Sequence, residues 1–236
     1  MAVVVQLSDT HLRARVGPED HALRRAVLAI RRALGVPPDA VALTGDLADD
    51  GSVAALERVA AAVAGFDAPI VALAGNHDLD ESVERVFGPP GPLAADGWRI
   101  VPLATRVPGE VHGAVDVDAA RAALADHAGH PTLLLAHHPP LGPSTHPWFT
   151  LRHGDGLLEL LAERPDVRAL GAGHLHQAFH VRRRALLVLG APSTWYAIRH
   201  EGRRWAKAPS APVGAVVWHL GSDGTARPAL VPSLPR

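Results

Sequence analysis

The sequence contains no cysteine, one methionine and one tyrosine, and aromatic residues make up only 4% of its 236 positions. Without cysteine neither a disulfide framework nor a thiolate metal site can form, so any metal has to be held by nitrogen and oxygen ligands. No apolar run approaches the ~20 residues that a bilayer crossing needs, so no membrane partner is expected. There is no excess of charge of either sign: 23 basic and 24 acidic residues give a formal net charge of -1. That balance argues against a dedicated nucleic-acid binder, although a local basic patch can exist within it. A secretory leader does not fit ahead of the first polar motif, because Met1 leads almost at once into Val3-Val4-Val5. A cytoplasmic location is therefore expected. Repeats, low-complexity tracts and linker-like composition are lacking too, so residues 1–236 read as a single domain.

What is present in excess is histidine, with fifteen residues. About half of them are expected at the surface or at helix ends. Along the chain, Ala2 to Leu7 reads as a short buried strand, being continuous, β-branched and bounded by polar residues. Leu23, Val27, Ile30 and Leu34 then recur at helical spacing, and Gly35 with Pro37-Pro38 ends that helix. Ala40 to Leu43 is a second strand; Ser52 is placed to cap a second helix with Leu56, Val59 and Val63 inside; Ile70 to Leu73 is a third strand. Strand, helix, strand, helix, strand with short loops is the pattern of a parallel sheet, in which binding groups sit beyond the carboxyl ends of the strands.

Pro89 to Gly97 reads as a connection without periodicity, followed by a strand from Trp98 to Leu103. Asp116 is placed to cap a helix running to about Ala128, Thr132 to Ala136 is a strand, and Leu157, Leu158, Leu160 and Leu161 mark another helix. Val167 to Leu170 is a further strand. Two hairpins are expected after it: one around Arg182-Arg183-Arg184, the other turning at Gly221 to Gly224 after Val213 to Leu220. The fold class is thus mixed α/β.

Five strand ends carry polar groups with metal-ligand character: Asp9 and His11, Asp46, Asn76 and His77, His137, and His174 and His176. In extended backbone residues i and i+2 face the same way, so Asp9 with His11, and His174 with His176, are each expected to aim two ligands into one pocket. Carboxylate, imidazole and amide oxygen together suit Mn, Fe, Zn or Co and are too nitrogen-rich for Ca or Mg. Each block alone is weak, since Asp-x-His or Gly-Asp commonly just forms a turn. Five of them in order, each after a buried strand, are not independent accidents.

With these blocks the chain resembles the calcineurin-like metallophosphoesterases, whose pattern is Asp-x-His, Gly-Asp, Gly-Asn-His-Asp/Glu, His and Gly-His-x-His. The matching residues are Asp9-Thr10-His11, Gly45-Asp46, Gly75-Asn76-His77-Asp78, His137 and Gly173-His174-Leu175-His176. The resemblance spans roughly residues 1 to 200. Within the family it is most similar to the class III cyclic-nucleotide phosphodiesterases, through His137-His138-Pro139-Pro140 and Ala191-Pro192-Ser193-Thr194. It implies a sandwich of two mixed sheets flanked by helices, and two transition metal ions, Mn, Fe or Zn. One ion would be held by Asp9, His11, Asp46 and His176, the other by Asp46, Asn76, His137 and His174, with Asp46 bridging. It also implies in-line attack of a metal-activated water on a phosphoester, with His77 protonating or stabilising the leaving oxygen.

Asp78 and His138 are open between a supporting role beside the ligands and a merely structural one. Gly75 is expected to let the chain turn. The remaining histidines (His21, His112, His127, His130, His146, His153, His180, His200 and His219) are expected to be structural or surface groups. Trp148-Phe149 and Trp195-Tyr196 are candidates for stacking on a nucleobase, and Arg182 to Arg184 for a phosphate clamp or a solvated turn. Trp195 stands where the nearest relatives commonly carry cysteine, and Leu79 to Trp98 is the candidate lid. The first substrate expected is a small cyclic-nucleotide diester such as 3',5'-cyclic AMP. The alternatives are a broad phosphomonoesterase or glycerophosphodiesterase, a nuclease, and a metal-free binding scaffold. Oligomeric state is left open, a homodimer included.

Overall fold

This computed structural model describes residues 1–126 and 129–235. Along the chain the elements are β1 (Ala2–Leu7), α1 (Pro18–Leu34), β2 (Ala40–Thr44), α2 (Val53–Val63), β3 (Ile70–Leu73) and α3 (Asp80–Phe87). Then come β4 (Leu93–Ala95), β5 (Trp98–Leu103), β6 (Gly113–Ala114), α4 (Val117–Ala125), β7 (Thr132–Ala136), β8 (Leu151–Arg152) and α5 (Gly154–Ala162). The last part holds β9 (Val167–Ala172), β10 (Phe179–Arg183), β11 (Leu186–Gly190), β12 (Ile198–Glu201), β13 (Arg204–Lys207), β14 (Gly214–Leu220) and β15 (Ala226–Pro232).

Two mixed sheets form, ordered β15-β14-β1-β2-β3 and β10-β11-β9-β7-β5-β4. The pairs β1–β2, β2–β3, β5–β7, β7–β9 and β9–β11 are parallel, and the remaining pairs of these two sheets are antiparallel. Central strands are apolar on both faces because each face is covered. Val5, Leu7, Val41 and Leu43 pack against Leu23, Val27, Ile30, Leu56 and Val59 of α1 and α2. Val4, Ala42 and Leu73 meet Ile100, Leu133, Leu135 and Leu189 of the other sheet, with Trp98 and Trp218 filling the space between. Val101, Leu134, Leu170 and Val188 pack against Leu124, Leu157, Leu158 and Leu161 of α4 and α5. The layers run helix, sheet, sheet, helix. Gln6 ties the sheets together where they approach the site: its amide donates to Thr44 Oγ1 and the Ala172 carbonyl, both at 3.1 Å, and accepts from Trp218 Nε1 at 2.9 Å.

Several local expectations are corrected. Ser52 precedes α2, but its hydroxyl makes no capping bond and has no partner among the described residues, so α2 is fixed by burial of Leu56, Val59 and Val63 instead. Asp116 does cap α4, accepting from the N–H groups of Asp118 and Ala119 at 3.0 Å. That helix ends at Ala125, and the expected end near Ala128 lies outside the described residues. Leu79 to Trp98 is not a lid: α3 packs its Val83 into the core beside α2, and β4 pairs with β5. The turn joining β4 to β5 is Asp96-Gly97, both at positive φ (43° and 82°), as a tight hairpin requires. The exposed Arg182 to Arg184 stand at the end of the β10–β11 hairpin remote from Ala172, since Leu187 pairs with Ala169 and Gly190 with Ala172. A phosphate clamp at the site is thereby excluded. Among the described residues no helix is long and apolar enough to cross a membrane.

Candidate metal centre

All five polar blocks meet at the carboxyl ends of β1, β2, β3, β7 and β9. The two sheets are stitched there by the bond from His137 Nδ1 to the Thr44 carbonyl (2.7 Å), and within the second sheet the Gly173 N–H continues the β7–β9 pairing by donating to the His137 carbonyl (2.9 Å). The paired residues converge for a different reason from the one the sequence suggests. Asp9, His11, Asp46, His174 and His176 lie past the strand ends in left-handed backbone, with φ of 53°, 48°, 49°, 67° and 49°. Such a conformation costs a non-glycine residue roughly 1–2 kcal/mol, so five of them persist only where the surroundings over-determine them. Here they do. The Asp9 N–H donates to the Gly45 carbonyl and the His11 N–H to the Asp46 carbonyl, both at 3.0 Å. The Asp9 carboxylate accepts the His174 N–H at 3.1 Å on each oxygen.

Asp9, His11, Asp46 and His176 each present one ligand atom within 4.8 Å of the others, and all four are buried. His11 Nδ1 donates to Asp49 Oδ1 at 3.0 Å and His176 Nδ1 to the Tyr196 carbonyl at 3.1 Å. Each ring is thus left with a bare Nε2 lone pair, and these two atoms face each other at 3.0 Å. Two lone pairs aimed at one point, with carboxylates beside them, suit a cation and nothing apolar. His176 Nε2 is 3.3 Å from Asp9 Oδ1, and His11 Nε2 is 3.8 Å from Asp46 Oδ2.

The other side repeats the logic with different partners. His137 donates through Nδ1 to Thr44, so its Nε2 is bare; it faces Asn76 Oδ1 at 3.2 Å and Asp46 Oδ1 at 3.5 Å. His174 donates through Nε2 to the Trp148 carbonyl at 3.0 Å, leaving Nδ1 as its free donor atom. Asp46 therefore turns one oxygen to each group of histidines. In addition its Oδ1 accepts the His77 N–H at 2.9 Å.

The buried charge agrees with this reading. Among the described residues no lysine or arginine pairs with Asp9 or Asp46, although both are fully buried. Burial pushes both carboxyls up, but the surrounding histidines outweigh it, and both lie below the ordinary value, Asp46 well below. Burial likewise lowers His137, yet Asp46 and Asp9 raise it to about 9, so the pocket favours positive charge there. Burial and the neighbouring His137 lower His174 to about 3, in keeping with a neutral ligand. A divalent cation compensates buried carboxylates in the way their environment demands.

His138 does not compete as a ligand. Its Nδ1 bonds Thr105 Oγ1 at 3.0 Å and its Nε2 donates to the Val111 carbonyl at 3.2 Å, so both nitrogens are engaged. Its ring braces His137 and His174, with centroids 4.7 and 4.3 Å away. Burial drives its pKa well down, so it stays neutral. Asp78 is also buried and supporting: it accepts the N–H groups of Gly75 (2.9 Å), Leu47 (3.1 Å) and Ala48 (2.8 Å), joining the Asp46 loop to the Asn76 loop. Burial and the nearby Asp46 raise its pKa to about 7. Gly75 does not serve to turn the chain, because its φ is not positive; a Cβ there would strike Asp46 Oδ1 and the Asp46 backbone nitrogen. Close approach is its requirement.

His77 stands apart from the ligand groups. Its side chain is 41% exposed, its Nδ1 donates to the Asp49 carbonyl at 3.1 Å, and its Nε2 has no protein hydrogen bond among the described residues. Asp49 is not among the residues the motifs pick out, yet it orients both His11 and His77, and Arg13 bonds its other oxygen at 3.0 Å. Its only sequence signal is its place in the loop after Gly45-Asp46. Bonds from His11 and Arg13 hold its carboxyl down to about 2. Of the aromatic candidates, Phe149 is buried against His174 and His200, and Tyr196 packs beside the ligands with its ring 4.4 Å from His176. Trp148 is exposed. Of the histidines expected to be structural or at the surface, His112 and His200 are buried, and His127 lies outside the described residues.

Residues 2–178 match the family model described as calcineurin-like phosphoesterase. The chain is similar to the 3',5'-cyclic adenosine monophosphate phosphodiesterase CpdA of Pseudomonas aeruginosa, 35% identical over 210 residues that cover 81% of this chain and 76% of that protein. The protein of the same name from Escherichia coli strain K12 is 32% identical over 239 residues, covering 94% and 86%. The fold is that of a dimetal phosphatase from Danio rerio, which matches with a TM-score of 0.73 at 15% identity, covering 94% of this chain and 93% of that one. The chain belongs to the calcineurin-like phosphoesterase family, and its chemistry is the hydrolysis of phosphate esters with divalent metal ions.

Proposed function

We propose that this chain is a dinuclear phosphodiesterase whose substrate is a 3',5'-cyclic nucleotide, cyclic AMP first among them. The observation that carries the dinuclear reading is Asp46, with one oxygen toward His11 and the other toward His137. Asp9, His11, Asp46 and His176 would hold one ion, and Asp46, Asn76, His137 and His174 the other. Manganese, iron and zinc are the metals this nitrogen-and-carboxylate set suits. The cyclic-nucleotide reading is supported by the relatives that bear that name. The site belongs to one domain spanning the chain, and the protein is assigned to the cytoplasm.

When bound, two such ions neutralise charge on a phosphoryl group and lower the pKa of a bound water. The chain's own residues do the rest. Hydrolysis breaks one P–O bond, and a proton must reach the departing oxygen. As the imidazolium, His77 is the group free to supply it: Nδ1–H stays bonded to the Asp49 carbonyl, and the Nε2 proton passes to the leaving oxygen, which leaves the neutral ring. Asp49 holds His77 and His11 in fixed relation, so the proton donor stays in register with the ligands.

The test is twofold. Wild-type protein reconstituted separately with Mn²⁺, Fe²⁺ and Zn²⁺ is assayed on cyclic AMP, a base-free phosphodiester and an aryl phosphomonoester. Higher kcat/KM on the monoester would overturn the diesterase reading. His77→Ala is expected to keep two ions per chain while turnover falls ~10²-fold or more, the range for removing a general acid. Full turnover with both ions bound would remove His77 from the chemistry.

A further inference from the structure

Trp148 and Trp205 come from separate parts of the chain, the loop between β7 and β8 and the hairpin strand β13, yet their rings meet with centroids 6.1 Å apart. Both remain open to solvent, at 52% and 40% exposure. Large aromatic surface left in water beside a functional site calls for a ligand. The pair is tied to the centre directly, because the Trp148 carbonyl accepts the His174 Nε2–H. It is also supported from below: Phe149 contacts His174, His200 and Trp205, and His146 accepts the Trp148 N–H at 3.2 Å while its ring packs on that indole.

The hairpin adds net positive charge. β12 and β13 pair with His200 opposite Trp205 and Ile198 opposite Lys207. By strand alternation Trp205 and Lys207 share the face that carries the buried Ile198 and His200. Lys207 Nζ lies over the Tyr196 ring at 4.9 Å, and that ring packs on His176. Lys207 thus reaches from the strand that carries Trp205 to the ring that packs on His176. Residues 199–207 contain Arg199, Arg203, Arg204 and Lys207 against Glu201 alone, in a chain whose net charge is -1. Two exposed indoles inclined at 46° to each other, a cation next to them and a phosphoester centre beyond match the parts of a nucleotide in order: base, then phosphate.

We infer that Trp148 and Trp205 form the platform on which the nucleobase of the substrate stacks, with Lys207 carrying positive charge toward its phosphate. This rests on the phosphodiesterase reading above and names the residues that give it preference for a nucleotide. None of the three belongs to the ligand set.

The experiment uses the manganese-loaded full chain and compares wild type with Trp148→Ala/Trp205→Ala and Trp148→Phe/Trp205→Phe. Substrates are cyclic AMP and methyl ribofuranoside 3',5'-cyclic phosphate, the same cyclic diester without a base. The alanine pair is expected to raise KM for cyclic AMP about tenfold, the scale of one base–aromatic stack, while kcat and the base-free substrate stay within about twofold. The phenylalanine pair should recover most of the loss. AMP should quench the tryptophan fluorescence of wild type, and the alanine pair should lose that quenching. Equal losses on both substrates, or no loss on either, would overturn the inference while leaving the diesterase reading intact. So would a wild-type dimer that the alanine pair turns into monomer with both substrates affected alike, since the patch would then be an interface between copies. If wild type hydrolyses the base-free diester but not cyclic AMP, the cyclic-nucleotide reading fails, and AMP quenching alone decides whether the platform binds a base.

Discussion

The two halves of the centre differ in one orienting partner and in charge: His176, like both histidines of the other half, bonds a backbone carbonyl, and His11 alone bonds a side chain. On the Asp9 side, His11 is oriented by the Asp49 carboxylate, and the two carboxylates Asp9 and Asp46 converge with two imidazoles. On the Asn76 side both imidazoles are oriented by backbone carbonyls, those of Thr44 and Trp148, and Asp46 is the sole carboxylate among the described residues. Asp9, His11 and His176 are buried, whereas Asn76 is half-buried and neighbours the exposed His77. The first half carries the more negative charge. The second is less negative and, although His137 and His174 are buried as well, opens toward solvent at Asn76.

Because Asp46 alone belongs to both halves, its removal should erase the difference between them. Asp46→Ala is expected to lower bound metal from two ions to fewer than one. Since the ions contribute several kcal/mol to the transition state, kcat should drop about 10³-fold or more. Elemental analysis alongside the rate checks it; two ions retained would mean that the halves do not share this carboxylate. Next in size is chelation. One further carboxylate close to a cation favours the Asp9 side by at least about tenfold in affinity. Stepwise dialysis against a chelator should therefore release one ion before the other. Asp9→Asn should make the release nearly simultaneous, and simultaneous release from wild type would contradict the asymmetry.

Asp49 offers the next smaller effect. Partners that orient a metal-binding histidine typically contribute 10–100-fold to affinity or activity. Asp49→Asn should cost about tenfold, felt on the Asp9 side, because an amide can still accept from His11 only if its oxygen faces the ring. No equivalent substitution exists on the other side, where the partners are backbone. A loss confined to the Asn76-side ion would reverse the assignment.

Much of this centre is legible in the sequence because ligand chemistry is local. Buried parallel strands announce themselves as continuous apolar runs, and Asp9, Asp46, Asn76, His137 and His174 each follow one. The reason the groups converge is not legible: the i, i+2 rule for extended backbone gives the right pairs for Asp9 with His11, but those residues are left-handed. For His174 and His176 the rule fails, since the two rings turn to different halves of the cluster. Hidden too are contacts set by tertiary approach, such as Asp49 to His11 and Trp205 to Trp148. β12 and β13 escape notice because Arg199, Glu201, Arg204 and Lys207 obscure the alternation, and of their residues only Ile198 and His200 are buried. The Asp96-Gly97 turn, by contrast, was available as a hairpin signal within a stretch that otherwise reads as loop.

The smallest effect tests the link between the halves rather than either one. Asp78 uses two oxygens to accept three backbone N–H groups, two from the Asp46 loop and one from the Asn76 loop. Asparagine has the same shape but only one acceptor oxygen, so Asp78→Asn leaves at least one buried N–H without an acceptor. An unsatisfied buried donor costs ~1–3 kcal/mol. In a chain of this size that corresponds to a fall in Tm of about 5 °C. The loss should not be shared evenly. Gly75 and Leu47 share Oδ2, so an asparagine oxygen placed there keeps both bonds, and the Ala48 N–H, which faces Oδ1, is the one left beside the amide NH2 without an acceptor. The Asp46 loop should loosen first, and because Asp46 reaches both halves, Asp78→Asn should release both ions at lower chelator concentration. An unchanged Tm, or weakening of one ion alone, would show that Asp78 is incidental to the register of the Asp46 loop.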